Sequence, residues 1–531
     1  IIYLAFLFIL HNKIGGICMK KDDLLKEMKG NPSLNKWDVL CSYRESEINA
    51  LLKTQYKNSQ YSQKISLVDK HTDEYGDPVT ITVNLDLKAP VLQFDAANKN
   101  ECILNMKIEK GSYKVDNPSR PTSEQILPEN VLVLLAHVPL SAVMGTIKDG
   151  ALKNTKKFSA SQIIAFDDNK SSAKIILDFS FVEGGDFDIQ PIPGQEHLIK
   201  DIYILTASYK QTLLKKICDF FKTNLSEITY VIGHLSSTSI KGTRLTPKSF
   251  IFCGFHPTKD EGMLNIYIQT KESKRDPGNI SPSFQPSDNT IPPIPEGYTA
   301  SLIIAREVLE NCYLIPQFQS SGWTPVKKGE KGEEGISFYL KKDVHIFIPG
   351  IKYRVIGVTE TCNAFDANLT DYPLRVTFKN DGLHVEWSKG ESIHWQQELV
   401  CGLDVVINRY DWNMTISCTY HDTLKRVKPS EKPFDFSFKL STSDFKLDPP
   451  ASYLTCLNNG IVFATSITNA TTEKLSGLNI TFDGLDILTL ENLLLPDQNV
   501  IKLDTADGVH FPYDMIVFGS VTQGGTNIEK C

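Results

Sequence analysis

Apolar and polar positions alternate along much of the chain. In VTITVNLDL, Ile81, Val83, Leu85 and Leu87 alternate with polar residues, and Ile175, Leu177, Phe179 and Phe181 do so in KIILDFSF. Further on, Trp412, Met414, Ile416, Cys418 and Tyr420 obey the same rule, as do Phe434, Phe436, Phe438 and Leu440. A period of two sends one set of side chains to one face, so each stretch predicts a one-sided strand of an antiparallel sheet. The stretch LRVTFKNDGLHVEW predicts a hairpin, with Leu374, Val376 and Phe378 before an Asn380-Asp381-Gly382 turn and Leu383, Val385 and Trp387 after it.

Helical spacing occurs in three places. The first is 44–56, where Ile48, Leu51, Leu52 and Tyr56 share one face, with Ser42 and Glu45 spaced as a capping box. YKQTLLKKICDFFKTNL places Leu213, Leu214, Ile217, Cys218 and Phe221 together, and AREVLENCYLIPQF places Val308, Leu309, Cys312 and Tyr313 together before Pro316, which is expected to stop the helix. Each of these helices has an apolar face to cover. VLCSYRESEINALL and SLIIAREVLENCYLI both run from a short apolar strand into such a helix, an echo at the level of pattern that suggests an internal duplication.

The 531 residues exceed one typical core and suggest two to four domains. Six prolines and little apolar content in 271–297 predict an exposed loop between an N-terminal half (19–270) and a C-terminal half (298–531). A second polar loop is expected at 324–335. The apolar run at 1–10 is too short to span a membrane. Met19 resembles a natural start, so 1–18 reads as a leader or upstream translated segment outside the fold, and no other stretch could cross a bilayer.

A net charge of −7 without a sustained basic block argues against duplex nucleic acid as a partner. Eleven cysteines, none spaced Cys-x-x-Cys, fit neither a disulfide scaffold nor a zinc ribbon and read mostly as free buried thiols. Catalytic signatures are missing: there is no G-x-S-x-G, H-E-x-x-H, P-loop or dinucleotide fingerprint. The loop from Asp366 departs from a calcium loop at Asp371 and Thr377. Cys253 with His256 lacks a second ligand pair, and Asp186 with Asp188 reads as a solvated strand end. The expectation is a non-enzymatic protein with no catalytic residue, cofactor or metal.

Trp37-Asp38 leading through SYRESEINALL, LTPKSF at 245–250 and PEGYTASLIIAREVLENCYLIPQF at 295–318 resemble the TULIP-type (tubular lipid-binding) proteins of clostridial neurotoxin gene clusters. These are the forty-seven-kilodalton protein and its OrfX relatives. The resemblance runs over roughly residues 35 to 525, although this chain is larger, at 59.5 kDa, and residues 1–18 have no counterpart in it.

The resemblance implies an elongated α+β, β-dominated fold, TULIP-like and BPI-like, in which long curved antiparallel sheets wrap amphipathic helices. It also implies an acyl ligand beside those helices. Ile48, Leu51, Leu52, Val308, Leu309 and Cys312 are the lipid-channel candidates, and a closed core is their other reading. Burying about fourteen methylenes at roughly 0.8 kcal/mol each would supply on the order of 11 kcal/mol before ordering costs. The leading expectation is a lipid-binding or complex-forming accessory protein of a bacterial toxin cluster, with a hydrophobic lipid and the cluster's other proteins as partners. The alternatives are a β-rich insecticidal or pore-forming toxin component acting on membranes, and a hydrolase with a spatially assembled site. A cytoplasmic location and release with a toxin complex are both compatible with it.

Overall fold

The computed structural model describes residues 19–422, with short interruptions of which the longest is 328–335, and then residues 445–448, 500–503 and 507–522. The segment 1–18 and the strand expected at 434–440 lie outside the described residues. Helix α1 covers Lys21–Met28, α2 Glu45–Asn58 and α3 Lys210–Thr223. Helix α4, over 306–320, is composite: its middle turn, Leu309–Leu314, has π geometry.

Strand β1 (Val39–Arg44) leads directly into α2. Next come β2 (Lys64–Thr72), β3 (Pro78–Leu87), β4 (Val91–Phe94), β5 (Glu101–Asn117), β6 (Leu132–Lys148), β7 (Ser171–Leu177) and β8 (Val231–Ser236). They form one curled antiparallel sheet in the order β8-β7-β6-β5-β3-β2, with β4 bonded to β5. β9 (Pro247–Phe255), β10 (Met263–Thr270) and β11 (Ala300–Ile304) belong to a central sheet around β1. The paired strands β12 (Gly382–Cys401) and β13 (Asp404–Asp422) dominate a third sheet, and β14 (Met515–Thr522) returns to the central sheet beside β11.

Alternation read from sequence governs the curled sheet. Val79, Ile81, Val83, Leu85 and Leu87 of β3 are all buried, with more exposed residues between them. The hairpin expected around Gly382 is present, with Lys379 opposite Gly382. In KIILDFSF the alternation fails: Ile176, between Ile175 and Leu177, is buried with them at an irregularity in the strand's pairing. Asp178 accepts the Ser180 amide and starts a 3-10 turn, which buries Phe179 and leaves Phe181 exposed.

The central sheet explains the sequence echo. β1 and β11 are antiparallel neighbours, with Cys41 opposite Leu302, and each runs into an amphipathic helix, so α2 and α4 leave from opposite ends of the pair. The Arg44 amide donates to the Thr299 carbonyl (3.0 Å) and the Ala305 amide to the Asp38 carbonyl (2.8 Å). Likewise Asp38 N donates to Ile268 O and Thr299 N to Gly519 O, both at 3.1 Å. These bonds pair Asp38 with Thr299 and Arg44 with Ala305, as a local two-fold between the strand–helix units requires.

The described residues of 271–297 form no helix or strand, yet the expected exposed loop is instead a strap packed on the central sheet. Phe284, Ile291, Ile294 and Gly278 are buried. The Arg44 guanidinium donates to the carbonyls of Ile294, Pro295 and Tyr298, and Arg275 Nη1 donates to Trp37 O at 2.8 Å. The prolines deny the segment ladder bonds, but side chains of the sheet satisfy its backbone instead.

Two helix-end expectations are also corrected. Ser42 does not cap α2: it lies in β1 and donates to Asn265 Oδ1 (2.7 Å), while the Glu45 side chain accepts the Phe94 amide. Pro316 does not end α4, which continues to Ser320. The π turn before it widens the helix just where a proline ring, lacking an N–H, would clash in a regular one.

Candidate functional site

Helix α2 lies inside the curled sheet and is tied to it by polar side chains. Asn49 imitates a neighbouring strand, its Nδ2 donating to Leu92 O (3.0 Å) and its Oδ1 accepting Leu92 N (2.7 Å). Gln55 Nε2 donates to Val231 O of β8 at 2.9 Å, and Tyr56 OH donates to Leu87 O of β3. With β3, β4 and β8 all bonded to one helix, its apolar face is held against the sheet. Of the candidates there, Ile48 is 2%, Leu51 8% and Leu52 0% exposed.

The other three candidates form a separate group. Val308 and Leu309 are buried on α4 and Cys312 is half-buried beside them, at the opposite end of the β1–β11 pair. The structure therefore places two apolar groups, one per strand–helix unit, within one continuous core.

Sequence reasoning missed the buried polar residues of α4. Arg306, Glu310 and Gln317 are each at most 5% exposed, and the Arg306 guanidinium sits 5.2 Å over the Tyr513 ring. The π turn adds a residue to its turn and rotates the rest of the helix, so positions off the regular apolar stripe face inward. No periodic signal announces them, because the apolar stripe read from sequence assumes a regular helix and the π turn at Leu309–Leu314 breaks it.

Buried carboxylates fasten this region. Asp38 accepts Thr270 N (2.8 Å), Thr270 Oγ1 (3.2 Å) and Ser273 Oγ (3.0 Å). Asp514 accepts Ser33 N (2.7 Å), Ser33 Oγ (2.6 Å) and Arg306 N (2.9 Å). Burial pushes the carboxyl of each above the ordinary aspartate range, against the pull of those donors. The thiols of Cys41 and Cys253 are pushed up to about 12 by burial, which makes them poor nucleophiles and poor ligands.

The remaining chemical candidates do not assemble. Cys253 points into the core of β9, while His256 lies near the Glu45 carboxylate. Asp186 closes a 3-10 turn through the Glu183 amide, and Asp188 pairs with Lys210. Ser172 Oγ does contact His234 Nε2, but Ser172 is fully buried in β7, where no substrate carbonyl can reach it. At the far end of the hairpin of β12 and β13, Val400, Leu403, Val405, Val406 and Ile407 are all exposed, and Leu403 at its turn is fully so.

Comparison with known proteins finds a likeness of structure. The chain resembles P47 of Clostridium botulinum. With P47 from C. botulinum A2 the identity is 14% and the TM-score 0.44, covering 92% of this chain and 97% of that one. With P47 of C. botulinum E1 the identity is 13% and the TM-score 0.43, covering 92% and 99%. A lipopolysaccharide binding protein is similar at 10% identity and a TM-score of 0.23, over 93% and 99% of the two chains. The sequence resemblance leads to P47 as well. No family model and no curated relative matches the chain.

Proposed function

We propose that this chain is a non-enzymatic accessory protein that holds an acyl lipid between its inner helices and the sheets around them. One observation carries the reading. The apolar face of α2, with Ile48, Leu51 and Leu52, is enclosed by β3, β4 and β8, and the helix is fixed there by Asn49, Gln55 and Tyr56 rather than by apolar contact alone. A helix hung from its polar residues can give way along its apolar face without leaving the sheet. Leu51, the most exposed of the three, marks the α2 side of the lipid path, and Val308, Leu309 and Cys312 mark the second.

Membrane contact is the second reading, favoured by the exposed aliphatic tip at 400–407. An exposed apolar patch normally meets a partner or a bilayer, and here it would bring lipid to the protein.

The test is organic extraction of the purified chain and lipid mass spectrometry of the extract, together with uptake of a fluorescent fatty acid by the extracted protein. Copurified acyl chains and saturable uptake support the proposal; a lipid-free protein that takes up no probe contradicts it.

A further inference from the structure

On the outer face of the curled sheet, away from the interior, three potential metal ligands converge from β5, β6 and the turn that follows β4. The β4–β5 register sets Phe94 opposite Cys102, and the Asp95 amide donates to the Glu101 carbonyl (3.3 Å), so Asp95 directly faces Glu101. In the β5–β6 register, Glu101 faces Pro139 and Ile103 faces His137, which makes His137 the diagonal neighbour of Glu101. Phe94, Cys102, Ala136 and Val138 point into the core, so alternation turns Asp95, Glu101 and His137 outward. One ligand atom from each lies within 4.8 Å of the other two.

Two carboxylates directly opposed on neighbouring strands repel each other. Elsewhere on the same sheet acidic groups have a lysine nearby, as in Lys88–Glu109, Lys114–Asp116 and Lys64–Asp86. Among the described residues neither Asp95 nor Glu101 has a lysine or arginine within salt-bridge distance. What stands beside the pair is an exposed imidazole; β5 and β6 hold Glu101 and His137, and Asp95 is fixed just past β4 by the Ala97 amide, which donates to its carboxylate (2.8 Å).

We propose that Asp95, Glu101 and His137 bind a divalent transition-metal ion, for which Zn²⁺ is the best fit. Two carboxylate oxygens and one imidazole nitrogen suit Zn²⁺ better than Ca²⁺ or Mg²⁺, which take oxygen ligands. A tetrahedral ion with ligands at about 2.1 Å needs donors roughly 3.4 Å apart, which small side-chain rotations reach from the observed spacing. Three protein ligands leave one position for water or an anionic group, and the ion would tie β4, β5 and β6 together. The residues are far apart in sequence, at 95, 101 and 137, so no spacing motif announces them.

The experiment is calorimetric titration of the chelator-treated full chain with Zn²⁺, repeated on His137→Ala, Glu101→Gln and, as a control, His345→Ala, whose imidazole also stands between two carboxylates. The expected result is one site at micromolar or tighter affinity, weakened at least about 10-fold by His137→Ala and by Glu101→Gln and unchanged by His345→Ala. Co²⁺ substituted at that site should show d–d absorption without the near-ultraviolet thiolate band that binding at cysteine would give. All three residues lie on the surface, so melting curves should show the variants folded. Absence of such a site, unchanged affinity in His137→Ala, or a thiolate band overturns the assignment.

Discussion

Gly278 is the position where a single methyl group should test the packed strap. A Cβ added there would lie 2.2 Å from Cδ2 and Cε2 of Trp37 and 2.5 Å from its Nε1. Real contacts at such a site need well over 3 Å, so the ring or the strap must move by about an ångström. The ring has little freedom: Trp37 is fully buried, sits 6.4 Å from the Tyr267 ring, and donates its indole N–H to Asn279 O at 3.0 Å. Overpacking of this kind costs about 1–3 kcal/mol, and stretching the buried indole bond adds about 1 kcal/mol. Gly278→Ala is therefore expected to lose about 2–4 kcal/mol, read as a lower denaturant midpoint with tryptophan fluorescence as the probe. Trypsin supplies the second readout. Arg275 is anchored to Trp37 O and to the carboxylates of Asp38 and Glu307, so the wild type should resist cleavage at Lys274 and Arg275 and the variant should be cut there. An unchanged midpoint together with prompt cleavage of the wild type at 274–275 would refute the strap.

Three further substitutions probe other parts of the fold. Phe221 stacks on Phe179 (4.9 Å) and Phe187 (5.5 Å), so Phe221→Ala should cost about 3–5 kcal/mol in denaturant unfolding, with α3 loosening first by hydrogen exchange. Ser33→Ala removes the hydroxyl donor to buried Asp514 and should cost about 1–3 kcal/mol by the same measurement. His345 bonds Asp366 (2.8 Å) and Asp343 (3.1 Å), which raise its pKa. A raised histidine pKa adds stability that is present below the ordinary value and lost as pH climbs through the folded one. Its titration, monitored by NMR, should move down in Asp366→Asn.

The parts of the fold legible in the sequence are those governed by one local period. Val79 to Leu87 alternate because a single sheet face is buried, and Leu213 to Phe221 share a stripe because α3 covers one surface. The features that sequence did not show depend on partners far along the chain. The strap reads as a solvated linker because its bonds come from Arg44 and Trp37, more than two hundred residues away. Ser42 reads as a cap because its actual partner, Asn265, lies on a strand that local pattern cannot place beside it. Glu310 turns inward through a π turn, for which helical periodicity makes no allowance. For the candidate site, the apolar stripes of α2 and α4 were legible, but their separation to opposite ends of one strand pair was not. That separation is set by the antiparallel β1–β11 register, a long-range fact.

If an acyl chain lies beside α2, native mass spectrometry of the wild type and Leu51→Trp, run beside their melting curves, will detect it. Leu51 is the most exposed of the three candidates on that helix, so an indole there would occupy the lipid's space. The expected result is lipid adducts on the wild type, fewer on the variant, and melting curves that nearly coincide. A wild type without lipid, beside a variant destabilised by roughly 1–3 kcal/mol or more as overpacking of a closed core demands, would contradict it.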